Sequence, residues 1–416
     1  MNIFIKFITS GFKSKNIFRF VIIPFSILVL MLGYSPVVSQ NTKPVLVDYK
    51  SITTGAQQLN RYLPLLNNKR VAVLVNQASR VGNTSLIDTL LSMKVNLVKI
   101  FSPEHGFKIS KDAGEKFGAE KEISSGLSII SLYGEKKKPD ADDLQNVDIL
   151  LIDLQDVGTR FYTYISTMSL AMEACAENGV NVVVLDRPNP NGYFVDGPIL
   201  EKKYRSFVGM HPVPVVYGMT IGEYALMVNG EGWLKRGVKC NLKVIKLKGY
   251  RHNMIVKLND APSPNLPDWK SVYLYPSLCF FEGTVISVGR GTELPFQVYG
   301  YPDAAFGAFT FTPRSMPGKS KYPKWQGTLC HGKSLVAYAN NFKNNTASIN
   351  LSWLMEAYKT MPDSITFFNH YFEKLAGTHK LREQIIAGKS PNEIRESWKP
   401  ALEKFMLIRK KYLLYK

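Results

Sequence analysis

Residues 147–160 read VDILLIDLQDVGTR, and the fold class is inferred from this stretch first. Its Ile and Leu residues follow one another without polar alternation, which is typical of a strand buried on both faces of a parallel sheet. The apolar run stops at Asp153, and Asp156 and Arg160 follow shortly after it. We therefore predict a central strand whose carboxyl end carries ionisable side chains.

Four further apolar runs repeat this pattern along the chain. They are RVAVLVNQ (70–77), VNLVKIFS (95–102), LSIISLYG (127–134) and VNVVVLDRP (180–188). Segments with apolar residues at helical spacing lie between them, namely TSLIDTLLSM (84–93) and FYTYISTMSLAMEACAENG (161–179). Strands that alternate with helices indicate a parallel sheet covered on both faces. The sequence therefore predicts an α/β fold, with a doubly wound parallel sheet in a domain at 45–235.

The pattern changes in residues 236–416, for which we predict a second, smaller α+β domain. Strands become shorter there, as in CNLKVIKL (240–247), and turns rich in Pro and Gly are frequent. In GKSPNEIRESW (388–398), Ser390 has the position of an N-cap and Glu393 that of its capping-box partner. This motif predicts the start of a helix.

The first forty residues have the pattern of a secretory signal, in which basic residues precede an apolar run at 20–34 and small residues follow it. The run is short for a membrane-spanning helix and contains Pro24. We therefore expect cleavage before Gln40, which makes residues 1–39 a signal peptide. The protein is then exported, periplasmic or secreted, with no stable membrane insertion after cleavage. A retained N-terminal anchor is the alternative.

The composition limits the possible partners. Lys and Arg number 52 against 33 Asp and Glu, for a net charge of +19. In an exported protein this surplus favours cell-wall polymers or anionic lipid surfaces over nucleic acid, unless it is only solvated surface charge. The four cysteines are far apart and form no CxxC pair, so a structural zinc site is not expected. Disulfides and buried thiols both remain open.

Polar clusters follow four of the predicted strands. They are Asn76-Gln77, Pro103-Glu104-His105, the stretch from Asp153 to Arg160, and Asp186-Arg187-Pro188-Asn189. Ligands of open parallel sheets bind beyond the carboxyl ends of the strands, which share one edge. We therefore predict a single site at this edge. No GxGxxG or P-loop motif follows any of these strands, which argues against a dinucleotide or nucleotide cofactor.

Two stretches of the second domain offer further polar groups. APSPNLP (261–267) contains Asn265, and YPSLCFFEGTVISVGRGTELPFQVYG (275–300) contains Glu282, Arg290 and Thr292. The GRGT segment can present backbone N–H groups beside a guanidinium, which suits an anion.

The candidate site is rich in carboxylates. No nucleophile elbow, HExxH or SxxK motif is present, so serine acyl transfer and zincin chemistry lose support. Paired carboxylates with Arg, Asn and Tyr are the usual equipment of a glycoside hydrolase.

Glu104, beside an apolar strand end, is the candidate acid, with a helix-capping carboxylate as the alternative. Asp156 and Asp186 each have an arginine close in sequence, which would keep them ionised; the alternative for Asp186 and Arg187 is an ion pair that holds a loop.

These residues carry a resemblance. In order along the chain the motifs are NQAS, SPEHGF, DAGE, SLYG, QDVGTRFYTYISTM, VLDRPNP, DGP, YGMTIGE, PSPNLP, EGT and GRGTELPF. Together they resemble the exo-β-N-acetylmuramidase (NamZ-type) family of glycoside hydrolases over about 45–416. The resemblance implies a Rossmann-like domain plus a smaller C-terminal domain, with the site between them. It also implies release of terminal N-acetylmuramic acid from the non-reducing ends of peptidoglycan fragments during cell-wall turnover and recycling.

The resemblance places the PEHG glutamate on Glu104. Two features depart from the family: FKISKDAGE (107–115) lacks an arginine before DAGE, and DGP replaces EGP through Asp196. If either loop contacts substrate, the specificity would differ. We choose Asp156 as the second catalytic carboxylate, with Glu282 in reserve.

Substrate binding is predicted for a further set of residues: Asn76, His105, Arg160, Tyr162, Asp186, Arg187, Asn189, Asn265, Glu282, Arg290 and Thr292. The lactyl carboxylate of muramic acid calls for a fixed guanidinium, which we assign to Arg290 or else to Arg160. Tyr162 and Tyr217 can stack on sugar rings, whereas Tyr164 is expected in the core.

We expect no cofactor and no metal, and the expected partners are muramic acid saccharides derived from peptidoglycan. Two rival functions remain. One is a non-catalytic cell-wall binding protein on the same scaffold. The other is a metal-dependent hydrolase with Glu104, His105, Asp153 and Asp156 as ligands.

Overall fold

The computed structural model describes residues 43–104, 106, 120–121 and 126–416, with the backbone alone at 120–121. The predictions for the signal peptide at 1–39, for His105 and for the FKISKDAGE segment lie outside the described residues.

The described strands are β1 Val45–Asp48, β2 Val71–Val75, β3 Arg80–Val81, β4 Thr84–Ser85, β5 Leu97–Ser102, β6 Glu120–Lys121, β7 Ser128–Ser131, β8 Ile149–Asp153, β9 Asn181–Leu185, β10 Leu242–Ile245, β11 Met254–Lys257, β12 Val298–Tyr301, β13 Phe309–Phe311 and β14 Cys330–Ser334. The α-helices are α1 Leu59–Leu66, α2 Leu86–Ser92, α3 Ala141–Leu144, α4 Tyr164–Glu177, α5 Ile221–Gly230, α6 Trp269–Leu278, α7 Val336–Asn340, α8 Ser352–Thr360, α9 Phe372–Ala376, α10 Lys380–Ile386 and α11 Pro391–Lys410.

The largest sheet has the order β10-β9-β8-β2-β5-β7-β6. The strands from β10 to β7 are parallel, and β6 is antiparallel to β7. Every residue of β2 and β8 is buried, because helices cover both faces of the sheet. The α/β prediction is therefore confirmed.

The C-terminal part contains the smaller antiparallel sheet β12-β14-β13 together with α6 to α11. This arrangement confirms a second part of α+β character. β10 lies beyond the predicted boundary at 235/236, yet it pairs with β9 in the large sheet, with Leu242 opposite Val182. The domain division itself stays a prediction.

One continuous apolar core joins the two parts. It contains α4 residues such as Tyr164 and Met168 together with Phe280 and Phe372 from the C-terminal part. A second core lies around α1, α2 and other residues of β2, β5 and β8. The C-terminal part is therefore packed against α4, close to the carboxyl ends of the central strands.

Three smaller findings complete the fold. Ser390 and Glu393 form the predicted capping box, and Pro391 is the first residue of α11. The four cysteines are free and buried, which decides between the disulfides and thiols left open above. Within residues 43–104, 106, 120–121 and 126–416, no helix has the length and apolar character needed to cross a membrane.

Candidate active site

A cavity of about 800 Å³ lies where the carboxyl ends of β5 and β7 meet the C-terminal part. Glu104 follows β5, Tyr133 follows β7, and Thr163 precedes α4. The residues that line this cavity and enter the argument below are Glu104, Tyr133, Glu135, Lys137, Phe161, Tyr162, Thr163, Phe207, Tyr275, Glu282, Arg290, Phe296, Tyr322, Lys324 and Tyr371. Four sequence-predicted site residues are thus brought together: Glu104, Tyr162, Glu282 and Arg290.

Glu104 is oriented by hydroxyl groups. The Thr163 hydroxyl donates to Glu104 Oε2 at 2.7 Å, and the Tyr164 hydroxyl donates to the Glu104 backbone carbonyl at 3.3 Å. Burial, with the Glu104 carboxylate nearby, raises the pKa of Tyr133. The start of α4 therefore fixes both the main chain and the side chain of Glu104 at the mouth of the cavity.

A second carboxylate, Glu282, belongs to a cluster of three charges. Arg290 Nε and Nη2 both lie 2.7 Å from Glu282 Oε1. Lys324 Nζ contacts four carbonyl oxygens at 2.5–3.4 Å, including that of Glu282. Burial of its ammonium lowers the pKa of Lys324 to about 8, so it is mostly charged at pH 7. Two cations beside one anion leave this wall of the cavity positive.

Aromatic rings form the other walls. The Tyr162 hydroxyl donates to the Pro262 carbonyl at 2.5 Å, which ties the start of α4 to the APSPNLP segment. Tyr275 has edge contacts with Phe161 and Phe296. Tyr322 is 82% exposed and lines the same cavity. Such rings can stack on sugar faces.

The structure places the other predicted site residues elsewhere. Asn76 and Asn189 are buried and donate to the carbonyls of Gln155 and Met219, at 3.4 and 2.7 Å. Asn265 and Thr292 line a separate small cavity of about 40 Å³. Asn76 and Asn189 thus connect strand-end loops to neighbouring segments, and none of the four residues lines the large cavity.

Arg160 is fully buried, so the structure corrects its prediction as a ligand of the lactyl carboxylate. Its guanidinium donates to four backbone carbonyls at 2.7–3.0 Å, those of Pro198, Val213, Leu375 and Ala376. Burial lowers the pKa of Arg160 to about 9, which leaves the group charged at pH 7. Arg160 therefore joins the loop after β9 to the end of α9.

Arg187 pairs with Asp153 at 2.6 and 2.7 Å, and not with Asp186 as expected. Asp186 instead accepts hydrogen bonds from Thr220 Oγ1, the Gly222 N–H and the Tyr415 hydroxyl. All of these groups serve to hold loops and the C-terminal tail. Asp153 is thereby engaged in an ion pair, which weakens the metal-ligand interpretation of this carboxylate.

Asp156 is also directed into the protein and not into the large cavity. Its Oδ2 accepts from the Gly158 N–H at 2.6 Å and from the Tyr217 hydroxyl, and its buried Oδ1 has no partner among the described residues. Burial raises the pKa of Asp156 to about 7, the opposite of the ionising effect expected from Arg160. Tyr217 is fully buried with it, so the expected sugar stacking by Tyr217 finds no support. Tyr164 lies in the core, as predicted.

The raised pKa of Asp156 predicts a pH-dependent stability. The folded state retains a proton that the unfolded state loses above about pH 4, so the contribution of Asp156 is fully present below that pH and is lost as pH rises to about 7. The free energy of unfolding of wild type relative to Asp156→Asn should therefore fall by about 2–3 kcal/mol between pH 5 and pH 8. Urea unfolding at both pH values measures this difference. The exposed Asp363→Asn serves as the control, and a wild-type-to-Asp156→Asn difference that stays constant with pH would contradict the assignment.

Sequence reasoning missed several cavity residues. Tyr133 lies within the SLYG motif and Thr163 within QDVGTRFYTYISTM, so a local signal for them existed. Lys324 and Tyr371 come from distant segments of the C-terminal part and have no such signal. Asp196, the DGP departure, is buried and accepts from Ile349 N–H and Trp398 Nε1, so it contacts the C-terminal part and not the large cavity.

An α/β scaffold whose strand-end cavity presents carboxylates, a guanidinium and aromatic walls has the equipment of a glycoside hydrolase. Two family models match this chain: the N-terminal domain of exo-beta-N-acetylmuramidase NamZ at residues 71–270, and the C-terminal domain at residues 273–415. The chain belongs to the NamZ family of exo-β-N-acetylmuramidases.

Individual relatives agree with this family. The peptidoglycan beta-N-acetylmuramidase NamZ of Bacillus subtilis (strain 168) is 38% identical over 407 residues, which cover 91% of this chain and 94% of that protein. Two crystal structures of DUF1343 family proteins from Bacteroides fragilis are also similar. One has a TM-score of 0.80 at 46% identity, the other a TM-score of 0.73 at 29% identity, and each match covers 88% of this chain and 99% of the other.

Proposed function

We propose that this protein is an exo-acting β-N-acetylmuramidase. It hydrolyses the glycosidic bond of a terminal N-acetylmuramic acid at the non-reducing end of peptidoglycan fragments, as part of cell-wall turnover. The observation that carries this proposal is that Glu104 and the Glu282–Arg290 pair face one cavity at the carboxyl edge of the sheet.

Glu104 is the proton donor to the glycosidic oxygen. The Glu104 carboxylate interacts with the hydroxyl groups of Thr163 and Tyr133, whereas Glu282 is engaged by a guanidinium. Glu282 thus replaces Asp156 as the second carboxylate, because Asp156 does not line the cavity. As the C–O bond breaks, Glu104 gives its proton to the leaving sugar oxygen, and the Glu282 carboxylate lies beside the positive charge of the oxocarbenium-like transition state. Water then supplies a hydroxyl group to the anomeric carbon, and the proton it loses restores the acid form of Glu104.

The lactyl carboxylate distinguishes muramic acid from glucosamine, and Arg290 is its proposed ligand. One guanidinium edge of Arg290 contacts Glu282 and leaves further N–H groups for a second anion. Lys324 adds a positive charge beside it. Carboxylate recognition by such a guanidinium is charge-assisted and directional.

Arg290→Ala is therefore expected to reduce selectivity. The ratio of kcat/KM for a muramic acid glycoside to that for its N-acetylglucosamine analogue should fall by about 10- to 100-fold, since a hydrogen bond to a charged group contributes about 1.5–3 kcal/mol. Arg290→Lys, which keeps the charge without the planar fork, should recover part of the ratio. Steady-state kinetics on both glycosides measure it. Equal losses on both substrates would remove Arg290 from carboxylate recognition.

The experiment that tests the function is hydrolysis of a 4-nitrophenyl β-glycoside of N-acetylmuramic acid, with the N-acetylglucosamine analogue in parallel. We expect release of nitrophenol from the muramic substrate only. Sugar binding without release from either glycoside would favour the non-catalytic binding protein instead.

We also propose that the chain is exported. This rests on the basic, apolar and small-residue order of the first forty residues. Mass spectrometry of the exported protein should give a chain that begins at Gln40, and a chain that keeps residues 1–39 would contradict cleavage.

A further inference from the structure

A second cavity, of about 780 Å³, lies apart from the residues proposed for catalysis. Its walls come from α4, from the chain between β9 and α5, and from the turn at 232–236 after α5. Its volume is similar to that of the active-site cavity, so it can accommodate a sugar of the same size.

The rim of this second cavity is strongly basic. Lys202, Arg205, Lys235 and Arg236 line it and are exposed. Glu173 is the carboxylate among its described lining residues, and it is already engaged by Lys138 Nζ at 2.6 Å and by the Lys235 backbone N–H at 2.7 Å. The rim therefore has an excess of positive charge available to an anionic ligand.

The interior of the second cavity combines an aromatic ring with a buried imidazole. His211 is 2% exposed, and its Nε2 has no hydrogen-bond partner in the described part of the chain. Its ring stacks on Trp233, with centroids 5.9 Å apart and an interplanar angle of 23°. A buried polar atom without a partner is costly, so a ligand hydroxyl or amide that bonds His211 Nε2 would relieve that cost.

Residues close in sequence line the two cavities. Lys137 and Phe207 line the first cavity, whereas their close neighbours Lys138 and Arg205 line the second. The same two segments thus contribute to both cavities.

We propose that the second cavity is a non-catalytic binding site for an acidic saccharide, an N-acetylated sugar that carries a carboxylate. The sugar ring packs against Trp233, a hydroxyl or amide group bonds His211, and the carboxylate lies among the basic rim residues. An inorganic anion would leave the aromatic ring and the buried imidazole without a role. The choice of this sugar rests on the proposed function. N-acetylmuramic acid is the free product of that reaction and is also a unit of the glycan chain on which the enzyme acts.

The test uses the mature protein with Glu104→Gln, so that hydrolysis of the glycan fragment during the titration is strongly slowed. Tryptophan fluorescence is recorded during titration with N-acetylmuramic acid, N-acetylglucosamine, inorganic phosphate and a peptidoglycan glycan fragment. We expect a saturable change with N-acetylmuramic acid that is lost in Trp233→Phe and retained in Arg290→Ala.

In Arg205→Ala/Arg236→Ala the apparent Kd should rise at least 10-fold, whereas the control Lys343→Ala/Lys404→Ala, which removes two exposed cations elsewhere, should leave it unchanged. If the glycan fragment binds more strongly than free N-acetylmuramic acid, the natural ligand is a unit of a glycan chain. If the two bind equally, the natural ligand is the free product.

Several results would overturn the site. They are an unchanged Kd in the Arg205→Ala/Arg236→Ala variant, a fluorescence change that persists in Trp233→Phe, and equal responses to phosphate or to N-acetylglucosamine. The rim variant keeps the test decisive if Trp233→Phe folds poorly. Failure of the wild-type enzyme to hydrolyse the muramic glycoside, with the Trp233 response intact, would reject the proposed function and leave this site standing.

Discussion

Glu104→Gln is expected to lower kcat for a peptidoglycan disaccharide by about 10²–10⁴-fold, the usual contribution of a general acid. Gln keeps the size of the side chain and its acceptor for the Thr163 hydroxyl, but it has no proton to give to the leaving oxygen. The KM should change little, because the Thr163 and Tyr164 contacts that position this segment remain possible.

The leaving group gives this prediction a sharper form. Nitrophenolate departs with little need for protonation, whereas a sugar alkoxide requires it. The loss in Glu104→Gln should therefore be much smaller on the nitrophenyl glycoside than on the disaccharide. Steady-state kinetics on both substrates test this difference.

The matched control is Glu135→Gln, which removes a carboxylate from the same cavity without touching the proposed acid. It should keep kcat within a few-fold of wild type. A Glu104→Gln enzyme that retains a tenth or more of its activity on the disaccharide, or equal losses on both leaving groups, would exclude Glu104 as the acid.

Arg160→Met is expected to cost about 4 kcal/mol or more in the free energy of unfolding. The side chain is fully buried, and its removal leaves three carbonyls without a donor, each costing about 1–3 kcal/mol before relaxation. The fourth, that of Val213, also accepts from the Leu200 N–H at 3.2 Å. Gly377, at φ +74°, packs against the guanidinium, and a Cβ there would lie 2.6 Å from Arg160 Nη2. The pocket is thus shaped around this one group, so a different side chain fills it poorly.

Urea or thermal unfolding of Arg160→Met measures this loss. The comparison variant is Arg382→Met, whose side chain is 38% exposed in a pair with Glu373 and whose removal should cost about 1 kcal/mol or less. If Arg160 were the substrate ligand, Arg160→Met would remain as stable as wild type and lose only muramic acid selectivity. That result would reverse the structural assignment.

The candidate site shows which inferences a sequence supports. The position of Glu104 can be predicted because it comes two residues after a buried strand. In a parallel sheet the carboxyl ends of all strands lie at one edge, so Glu104 must lie at that edge. Asp156 and Arg160 follow a strand in the same way, yet the structure buries both. The strand pattern places a residue at an edge, but the direction of its side chain depends on which loops pack over it.

Partners across the chain were equally beyond local inference. Arg187 was expected beside its neighbour Asp186 and instead pairs with Asp153, which the sheet brings to the same edge through β8. Lys324 reaches the Glu282 carbonyl from 42 residues away. Nothing in the sequence around either residue specifies these contacts.

Sequence alone predicts the α/β class, the run of parallel strands, the start of α11 and the position of Glu104 at a strand end. These follow from short-range periodicity and capping chemistry, which act within a few residues. The packing of distant segments determines that Glu282 and not Asp156 faces the active-site cavity, that Arg160 binds carbonyls, and that a second cavity has a basic rim. Burial and ion pairing depend on segments far apart in the chain, so the cost of desolvating a charge is set only once those segments have packed.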